Sequence, residues 1–220
     1  MSNKIKWGVL GGGGDSLIGV LHRVAAGMFD AYELTGGVFN QDIKISIDFA
    51  EEIGIPKNRI YASLEELISE ELKLPETDRI QVVSILTPNF LHYPMATQLI
   101  EAGFNVICEK PMTMTYDESL ALEKLQNKSN THFALTHTYT GYPMVRQMKK
   151  MIAEGVIGEV QKVDAQYYQG WINPIIHDKN LRGTTWRLDP SKSGISCCMG
   201  DIGVHAYQML EYVTGMDINS

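Results

Sequence analysis

The sequence has few cysteines, and their arrangement suggests neither a disulfide framework nor a metal site. Cys108, Cys197 and Cys198 are the three cysteines among 220 residues, and their spacing is not that of metal ligands. We therefore predict no metal, and we interpret the adjacent Cys197 and Cys198 as small apolar fillers beside a site. Such sparse cysteine usage is typical of a reducing compartment, so the expected location is cytoplasmic.

The sequence also lacks a block of lysines and arginines and a long apolar run. With a net charge of −7 and an isoelectric point of about 5.4, the chain is poorly suited to a phosphate backbone. No apolar run approaches the roughly 20 residues of a membrane helix. The amino terminus enters a strand pattern without the profile of a signal peptide. We therefore expect a globular protein that binds a small molecule, and neither a nucleic acid nor a membrane.

What the first two-thirds of the chain does contain is a regular alternation of strand and helix patterns. The predicted strands cover residues 5–10, 34–39, 80–86, 104–108 and 132–136, and the predicted helices cover 16–29, 43–53, a segment opening at Ser63, 90–102 and 115–127. Capping boxes, Ser63 with Glu66 and Thr115 with Glu118, are predicted to open two of these helices. In the first helix, one apolar face is formed by Leu17, Val20, Leu21, Val24 and Met28. Alternation of this kind predicts an α/β fold with a doubly wound parallel sheet, in which ligands bind beyond the carboxyl ends of the strands.

The pattern changes near Thr138, where we expect a second domain to begin. A helix is predicted over 144–153, a half-exposed strand over 159–169, a loop rich in Gly, Pro, Asn and Asp over 170–194, and a helix over 201–213. One strand cannot make a stable sheet. We therefore divide the chain into a dinucleotide-binding domain, 1–137, and the beginning of an incomplete α/β domain, 138–220, and expect the chain to be part of a longer protein.

A glycine cluster, G-G-G-G-D-S-L-I-G, follows the first strand and opens the first helix. A dinucleotide site needs glycine where the chain turns tightly, where pyrophosphate approaches the backbone, and where helix packs on strand. Gly11, Gly13 and Gly19 can fill these roles, and the helix amino terminus offers N–H groups to phosphate. The spacing departs from G-x-G-x-x-G by two extra residues, so a flexible strand–helix loop is the alternative interpretation.

The end of the second strand normally decides between NAD and NADP, because an acid there binds the ribose hydroxyls. Asn40 stands at that position, with Asp42 and Lys44 nearby, so the expected cofactor is NAD or NADP. After the third predicted strand, Thr87 and Asn89 would face the cofactor crevice. Asn89 can equally be a turn or cap residue, and His92 is more typical of a helix residue near the cleft than of a catalyst.

The strand over 104–108 leads directly into Glu109, Lys110 and Pro111. A residue at the carboxyl edge of a parallel sheet points into the crevice, so Lys110 would project towards the substrate, with Glu109 holding its charge and orientation. A cis Lys110–Pro111 bond is possible, since X–Pro bonds lose most of the trans preference. The alternative for Glu109 and Lys110 is a surface ion pair.

A second constellation, G-D-I-G-V-H, ends in His205. Asp201 and His205 are four residues apart, and on a helix they share one face. The carboxylate can then orient an imidazole that titrates near neutrality and accepts a proton from an alcohol. An exposed Asp–His helix pair is the alternative, although Gly200 and Gly203 are costly in an ordinary helix.

Together these motifs resemble the glucose–fructose oxidoreductase / inositol dehydrogenase / MocA family over essentially the whole chain. The resemblance rests on the glycine loop before I-G-V-L-H-R and on T-P-N-F-L-H, E-K-P, Y-Q-G-W, W-R-L-D-P and S-G-I-S-C-C-M-G-D-I-G-V-H. It implies a Rossmann domain followed by an α/β domain with a large open sheet. By motif match it places Lys110, Asp201 and His205 at the catalytic positions. The cofactor-lining residues it implies are Gly11, Gly13, Ile18, Asn40, Thr87, Asn89, His92, Glu109 and Lys110.

The function that follows from the resemblance is an NAD(P)-dependent dehydrogenase acting on a secondary alcohol of a sugar, cyclitol or related polyol. Tyr168, Trp171 and Trp186 could stack on a sugar face, and Arg187 could bind an acidic group, although core packing and a salt bridge are the alternatives. Two other functions stay open, a redox-neutral NAD-dependent glycosidase and a non-catalytic NAD(P)-binding sensor. When full length, the protein is expected to form a homo-oligomer, a dimer or tetramer.

Overall fold

A computed structural model describes residues 4–178, 180–181 and 185–218. The chain divides into two compact units, Met1–Leu135 and Thr136–Ser220. In the described part of the chain, no helix is both long and apolar enough to cross a membrane.

The first unit is a five-stranded parallel sheet with strand order β2-β1-β3-β4-β5. Its strands are β1 (Ile5–Gly11), β2 (Tyr32–Val38), β3 (Val82–Leu86), β4 (Asn105–Cys108) and β5 (Phe133–Leu135). The helices that connect them are α1 (Leu17–Gly27), α2 (Ile43–Glu52), α3 (Leu64–Glu71), α4 (His92–Glu101) and α5 (Tyr116–Gln126). The doubly wound parallel sheet predicted from the alternation is confirmed.

The sheet separates two hydrophobic clusters, because successive side chains of a strand point to opposite faces. In β1, Trp7 and Val9 belong to one cluster and Leu10 to the other. All five side chains of β3 are buried, as expected for a central strand covered on both faces. Because these strands are parallel, the carboxyl ends of β1, β3 and β4 lie at one edge of the sheet.

Two predicted helix starts carry the expected caps. The Thr115 side chain accepts a hydrogen bond from Glu118 N, and the Glu118 side chain accepts one from Thr115 N. At α3, Ser63 accepts from Glu66 N, but Glu66 Oε2 accepts from Ala62 N instead of Ser63 N. The first is a complete capping box, and the second is a variant displaced by one residue.

The apolar face predicted for α1 is not the face that packs on the sheet. Leu17, Val20, Leu21, Val24 and Met28 are all exposed. The helix packs instead through Ile18, Gly19 and Ala26. Both faces of α1 carry apolar residues, so spacing alone does not select the buried one.

The second unit contains helices but no strand among its described residues, 136–178, 180–181 and 185–218. The helices are α6 (Pro143–Ala153), α7 (Asn173–His177), α8 (Pro190–Ser193) and α9 (Val204–Thr214), and a π-helical turn, Met199–Gly203, precedes α9. The strand predicted over residues 159–169 is wrong: the segment makes no ladder. A strand exists only through hydrogen bonds to a partner strand, and this unit offers none in its described part.

Candidate functional site

The glycine loop between β1 and α1 is shaped by close backbone contacts. Gly11 and Gly12 adopt φ values of +80° and +72°, which side-chain-bearing residues rarely adopt. A Cβ on Gly13 would lie 2.7 Å from Phe39 O, and one on Gly19 would lie 1.8 Å from Gly12 O. The loop therefore presents bare backbone at the head of α1, which is the arrangement that a pyrophosphate requires.

A cleft of about 730 Å³ opens beside this loop, at the carboxyl edge of β1, β2 and β3. Its walls come from the glycine loop, the end of β2, the start of α3 and the loop after β3. Four of the predicted cofactor residues, Gly11, Gly13, Asn40 and Thr87, line it. The cleft lies where the strand order reverses, between the crossovers that lead to β2 and to β3. This position fits a dinucleotide, as do the size of the cleft and the bare glycine backbone beside it.

The end of β2 offers a neutral surface to this cleft. Asn40 and Gln41 line it, and Asn40 Oδ1 accepts a hydrogen bond from Asp42 N at 3.0 Å. Asp42 in turn caps α2, accepting from Lys44 N at 2.9 Å. The carboxylate of Asp42, the nearby acid noted in the sequence, therefore accepts a backbone hydrogen bond at the start of α2.

The remaining predicted cofactor residues of the first unit lie around the same sheet edge. Ile18 packs against the hydrophobic cluster under α1, and Asn89 is buried in the turn after β3. The His92 ring is 1% exposed and lies behind the turn, with Nδ1 2.7 Å from Pro111 O and Nε2 2.9 Å from Thr87 O. Burial lowers the pKa of His92, against the opposing effect of these two carbonyl groups.

The Glu109–Pro111 turn continues directly from β4. Glu109 N donates to Ile85 O of β3 at 3.1 Å, which extends the sheet hydrogen bonding by one residue. Glu109 Oε2 accepts from Lys110 N at 3.3 Å, and the Lys110–Pro111 bond is cis, the isomer that the sequence left open. Lys110 thus leaves the sheet from a backbone that is hydrogen-bonded at Glu109 N and at its own N–H.

Two α1 residues near this turn and the glycine loop were missed in the sequence. His22 Nε2 lies 2.9 Å from Glu109 Oε1, and both side chains are 13% exposed. Arg23 Nη1 donates to Gly12 O at 2.9 Å, and burial lowers the pKa of Arg23. No local signal marked them, because both faces of α1 carry apolar residues and Glu109, the partner of His22, lies 87 positions away.

In the second unit, Asp201 lies in the π-helical turn and His205 in the first turn of α9. The His205 ring meets the Tyr139 ring edge-on at a centroid distance of 4.7 Å, and the Tyr167 ring lies at 6.3 Å. The Tyr139 and Tyr167 hydroxyl oxygens are 2.5 Å apart, and this bond, with burial and nearby charges, raises the pKa of Tyr139 to about 12. His205 and both tyrosines line a groove of about 580 Å³ with mostly apolar walls.

The predicted substrate residues fall into two groups. Tyr168 is 87% exposed, and Trp171 is also exposed. The Arg187 guanidinium lies 4.5 Å from the centre of the Trp186 ring, and Arg187 Nε is 3.9 Å from Asp201 Oδ1. Arg187 therefore joins Trp186 to Asp201, the salt-bridge alternative noted from the sequence.

The interpretation of Cys197 and Cys198 as small apolar fillers beside a site is wrong, because both side chains are exposed. Cys197 has a φ of +37°, in the left-handed region that residues other than glycine rarely adopt. Within residues 4–178, 180–181 and 185–218, no three His, Cys, Asp or Glu side chains are grouped so that they could hold a metal ion.

Comparison with known proteins agrees with this geometry. Residues 5–137 match the family described as "Oxidoreductase family, NAD-binding Rossmann fold", and residues 145–220 match the "GFO/IDH/MocA C-terminal domain". The chain belongs to the GFO/IDH/MocA oxidoreductase family. The resemblance drawn from the motifs and the expectation of an NAD-binding Rossmann domain are thereby confirmed.

Three similar proteins illustrate the GFO/IDH/MocA relationship. An uncharacterized oxidoreductase, YfiI, of Bacillus subtilis is 35% identical over 214 residues, covering 97% of this chain and 54% of the relative. Levoglucosan dehydrogenase of Pseudarthrobacter phenanthrenivorans is 37% identical over 136 residues, 62% of this chain and 33% of the relative. An inositol dehydrogenase homologue of Azotobacter vinelandii, solved with NAD⁺, superimposes with a TM-score of 0.88 at 33% identity, covering 96% and 53% of the two chains. The chain thus spans about half the length of YfiI and of the inositol dehydrogenase homologue.

Proposed function

We propose that this protein is an NAD(P)-dependent dehydrogenase that acts on a secondary alcohol of a sugar, cyclitol or related polyol. The observation that carries the proposal is the Glu109–Lys110–Pro111 turn, which holds an ammonium group at the carboxyl edge of a sheet that also bears the bare glycine loop. When bound, the nicotinamide cofactor supplies a hydride acceptor or donor for the alcohol carbon. Gly11, Gly13, Asn40 and Thr87 would hold it in the cleft.

The chain's own residues supply the proton chemistry. His205 accepts the proton of the substrate hydroxyl, and Lys110 donates a hydrogen bond to the same oxygen and stabilises charge that develops there. Asp201 orients His205 from the preceding turn. The Tyr139 and Tyr167 rings lie beside the His205 ring, and these contacts favour a single orientation of the imidazole.

The substrate class rests on the relatives. Two of the matching proteins carry names that refer to levoglucosan and inositol, which are polyhydroxylated ring compounds. Neutral Asn40 at the end of β2 is compatible with the ribose hydroxyls of NAD and with the 2′-phosphate of NADP. Both cofactors therefore belong to the proposal.

The domain organisation is a further part of the proposal. A dinucleotide-binding domain, 1–137, would be followed by the beginning of a substrate domain, 138–220. The division of the chain into compact units between Leu135 and Thr136 supports this boundary. A homo-oligomer, a dimer or tetramer of the full-length protein, is also part of the proposal.

A cofactor-reduction screen tests the function. Purified full-length protein is incubated with sugars and cyclitols and with NAD or NADP side by side, and absorbance at the nicotinamide band is followed. Reduction dependent on one polyol class supports the dehydrogenase. Product release without a net absorbance change would replace it by a redox-neutral glycosidase, and cofactor binding without turnover across the panel by a sensor.

Substitution of the proposed lysine tests the assignment of Lys110. We expect Lys110→Ala to lower kcat/KM for the best substrate by about 100-fold or more, because one preorganised donor to a developing oxyanion contributes on that scale. The matched control, Lys128→Ala, removes an exposed ammonium outside the site and should leave kcat/KM unchanged. A Lys110→Ala enzyme within about threefold of wild type would refute the role.

A further inference from the structure

The residues immediately before and after Lys110 each contact a histidine, and the two histidines come from different helices. His22, in α1, meets the side chain of Glu109, and His92, in α4, meets the carbonyl group of Pro111. The α1 and α4 helices are far apart in sequence, and β4 ends between their two histidines. Lys110 is therefore held on both sides by side chains that belong to other elements.

The contact before Lys110 runs through a mostly buried carboxylate. Glu109 Oε1 lies 2.9 Å from His22 Nε2, and Glu109 Oε2 accepts the Lys110 N–H at 3.3 Å. The two side chains are each only 13% exposed. A carboxylate that is withdrawn from water and bonded at both oxygens has little freedom to rotate, so it transmits the position of α1 to the backbone of Lys110.

The contact after Lys110 joins two turns. His92 Nδ1 lies 2.7 Å from Pro111 O, and Nε2 lies 2.9 Å from Thr87 O. With the ring 1% exposed, no water competes for either nitrogen. A neutral imidazole has one N–H, so it donates to one of these two carbonyl groups and packs against the other. The ring thus lies between the turn after β3, which lines the cleft, and the turn that carries Lys110.

We propose that His22 and His92 form a clamp that positions Lys110. Both are positioning residues, since each acts through a neighbour of Lys110. Geometry at a reacting centre must hold to within about 0.5 Å, and a lysine with four rotatable bonds meets that need only if its backbone is fixed. The consequence for turnover rests on the proposed dehydrogenase function, whereas the consequence for backbone order does not.

Hydrogen exchange tests the clamp without reference to turnover. In His22→Ala, which leaves a good helix former in α1, the Lys110 amide should exchange at least tenfold faster than in wild type. His22→Gln, which keeps an N–H donor for the carboxylate, should restore part of the protection. His132→Ala, at the opposite edge of the sheet where β5 begins, is the matched control and should leave that amide unchanged. Exchange of Lys110 within twofold of wild type in His22→Ala overturns the clamp.

The clamp also predicts an energetic coupling to Lys110. His22→Ala should lower kcat about tenfold while the dissociation constant for NADH stays within threefold, and should cost less than twofold when added to Lys110→Ala. A general packing role would instead cost the same in both backgrounds, and that result overturns the proposal. The same comparison of single and double variants is made with His92→Gln for the second contact. If His92→Gln fails to fold, the comparison with His22→Ala still tests the clamp. If the wild-type protein turns over no polyol but the Lys110 amide exchanges faster in His22→Ala, the proposed function is refuted and the clamp is supported.

Discussion

Glu71 is a fully buried carboxylate that holds three elements of the first unit together. Arg59 Nε and Nη2 each donate to it at 2.9 Å, the Tyr61 hydroxyl donates at 2.5 Å, and Ile80 N donates at 2.7 Å. Burial, with Glu71 as a second cause, raises the pKa of Tyr61, which keeps that hydroxyl protonated as a donor. The network anchors residues 59–61, and the next residues, 62–65, form a wall of the cofactor cleft.

Removing the charge of Glu71 should destabilise the first unit strongly. We expect Glu71→Gln to lower the free energy of unfolding by about 3 kcal/mol, because it leaves the largely buried Arg59 guanidinium without a counter-charge. Urea unfolding, followed by Trp7 fluorescence in a Trp171→Phe/Trp186→Phe background, reports on this unit, since Trp7 is buried in it.

The neighbouring carboxylate provides the control for this prediction. Glu70 is half-exposed and pairs with Lys73 at the surface, so Glu70→Gln should change the free energy of unfolding by no more than about 0.5 kcal/mol. Equal effects of the two substitutions would mean that the buried network does not bear on stability.

At the scale of elements, the contact between α1 and the glycine loop depends on one missing methyl group. We expect Gly19→Ala to destabilise the first unit by about 1–3 kcal/mol, because the new Cβ would meet Gly12 O at 1.8 Å and force the helix away from the loop. Because the loop itself would shift, NADH binding measured by fluorescence should weaken in parallel.

The other glycine of α1 provides the contrast. A Cβ on Gly27 would meet nothing within 4 Å, so Gly27→Ala should leave stability unchanged or raise it by about 0.5–1 kcal/mol, the helix-propensity gain. If both alanines had the same effect, helix propensity and not the close approach of Gly19 would govern this element.

The elements that sequence patterns predicted well are those whose determinants are local. The capping box at Thr115 and Glu118 and the buried run of β3 each depend on residues within a few positions. The strand over residues 159–169 was wrong because a strand also needs a partner. Prediction therefore succeeded where the stabilising contacts are near in sequence and failed where they are supplied from elsewhere in the chain.

The same distinction applies to the candidate site. Lys110 was a candidate because a strand leads straight into it, and Gly19 because it follows a glycine cluster at the head of a helix. His22 was not, since its partner Glu109 lies 87 positions away. His92 was recognised as near the cleft, but its contacts with two carbonyl groups depend on the path of two turns that no local pattern specifies.

At the scale of the whole molecule, the most conspicuous surface feature is the outer face of α1. Leu17, Val24 and Met28 are 73%, 60% and 70% exposed, and Phe29, just beyond the helix, is 86% exposed. Together with Val20 and Leu21 they form a continuous apolar stripe, because residues three, four and seven apart share a helix face. Contiguous apolar patches of this kind are uncommon on monomeric proteins and bind other apolar surfaces.

The stripe should therefore dominate hydrophobic dye binding by the chain. We expect Leu17→Lys/Val24→Lys/Met28→Lys to lose at least half of the Nile red fluorescence of wild type. Nile red is uncharged, so the three added charges do not attract it. A control with the same added charge, Asn58→Lys/Thr77→Lys/Asn130→Lys, changes exposed polar positions and should bind the dye as wild type does. Equal dye binding by the two triple variants would show that α1 is not the main apolar surface, since only one of them removes it.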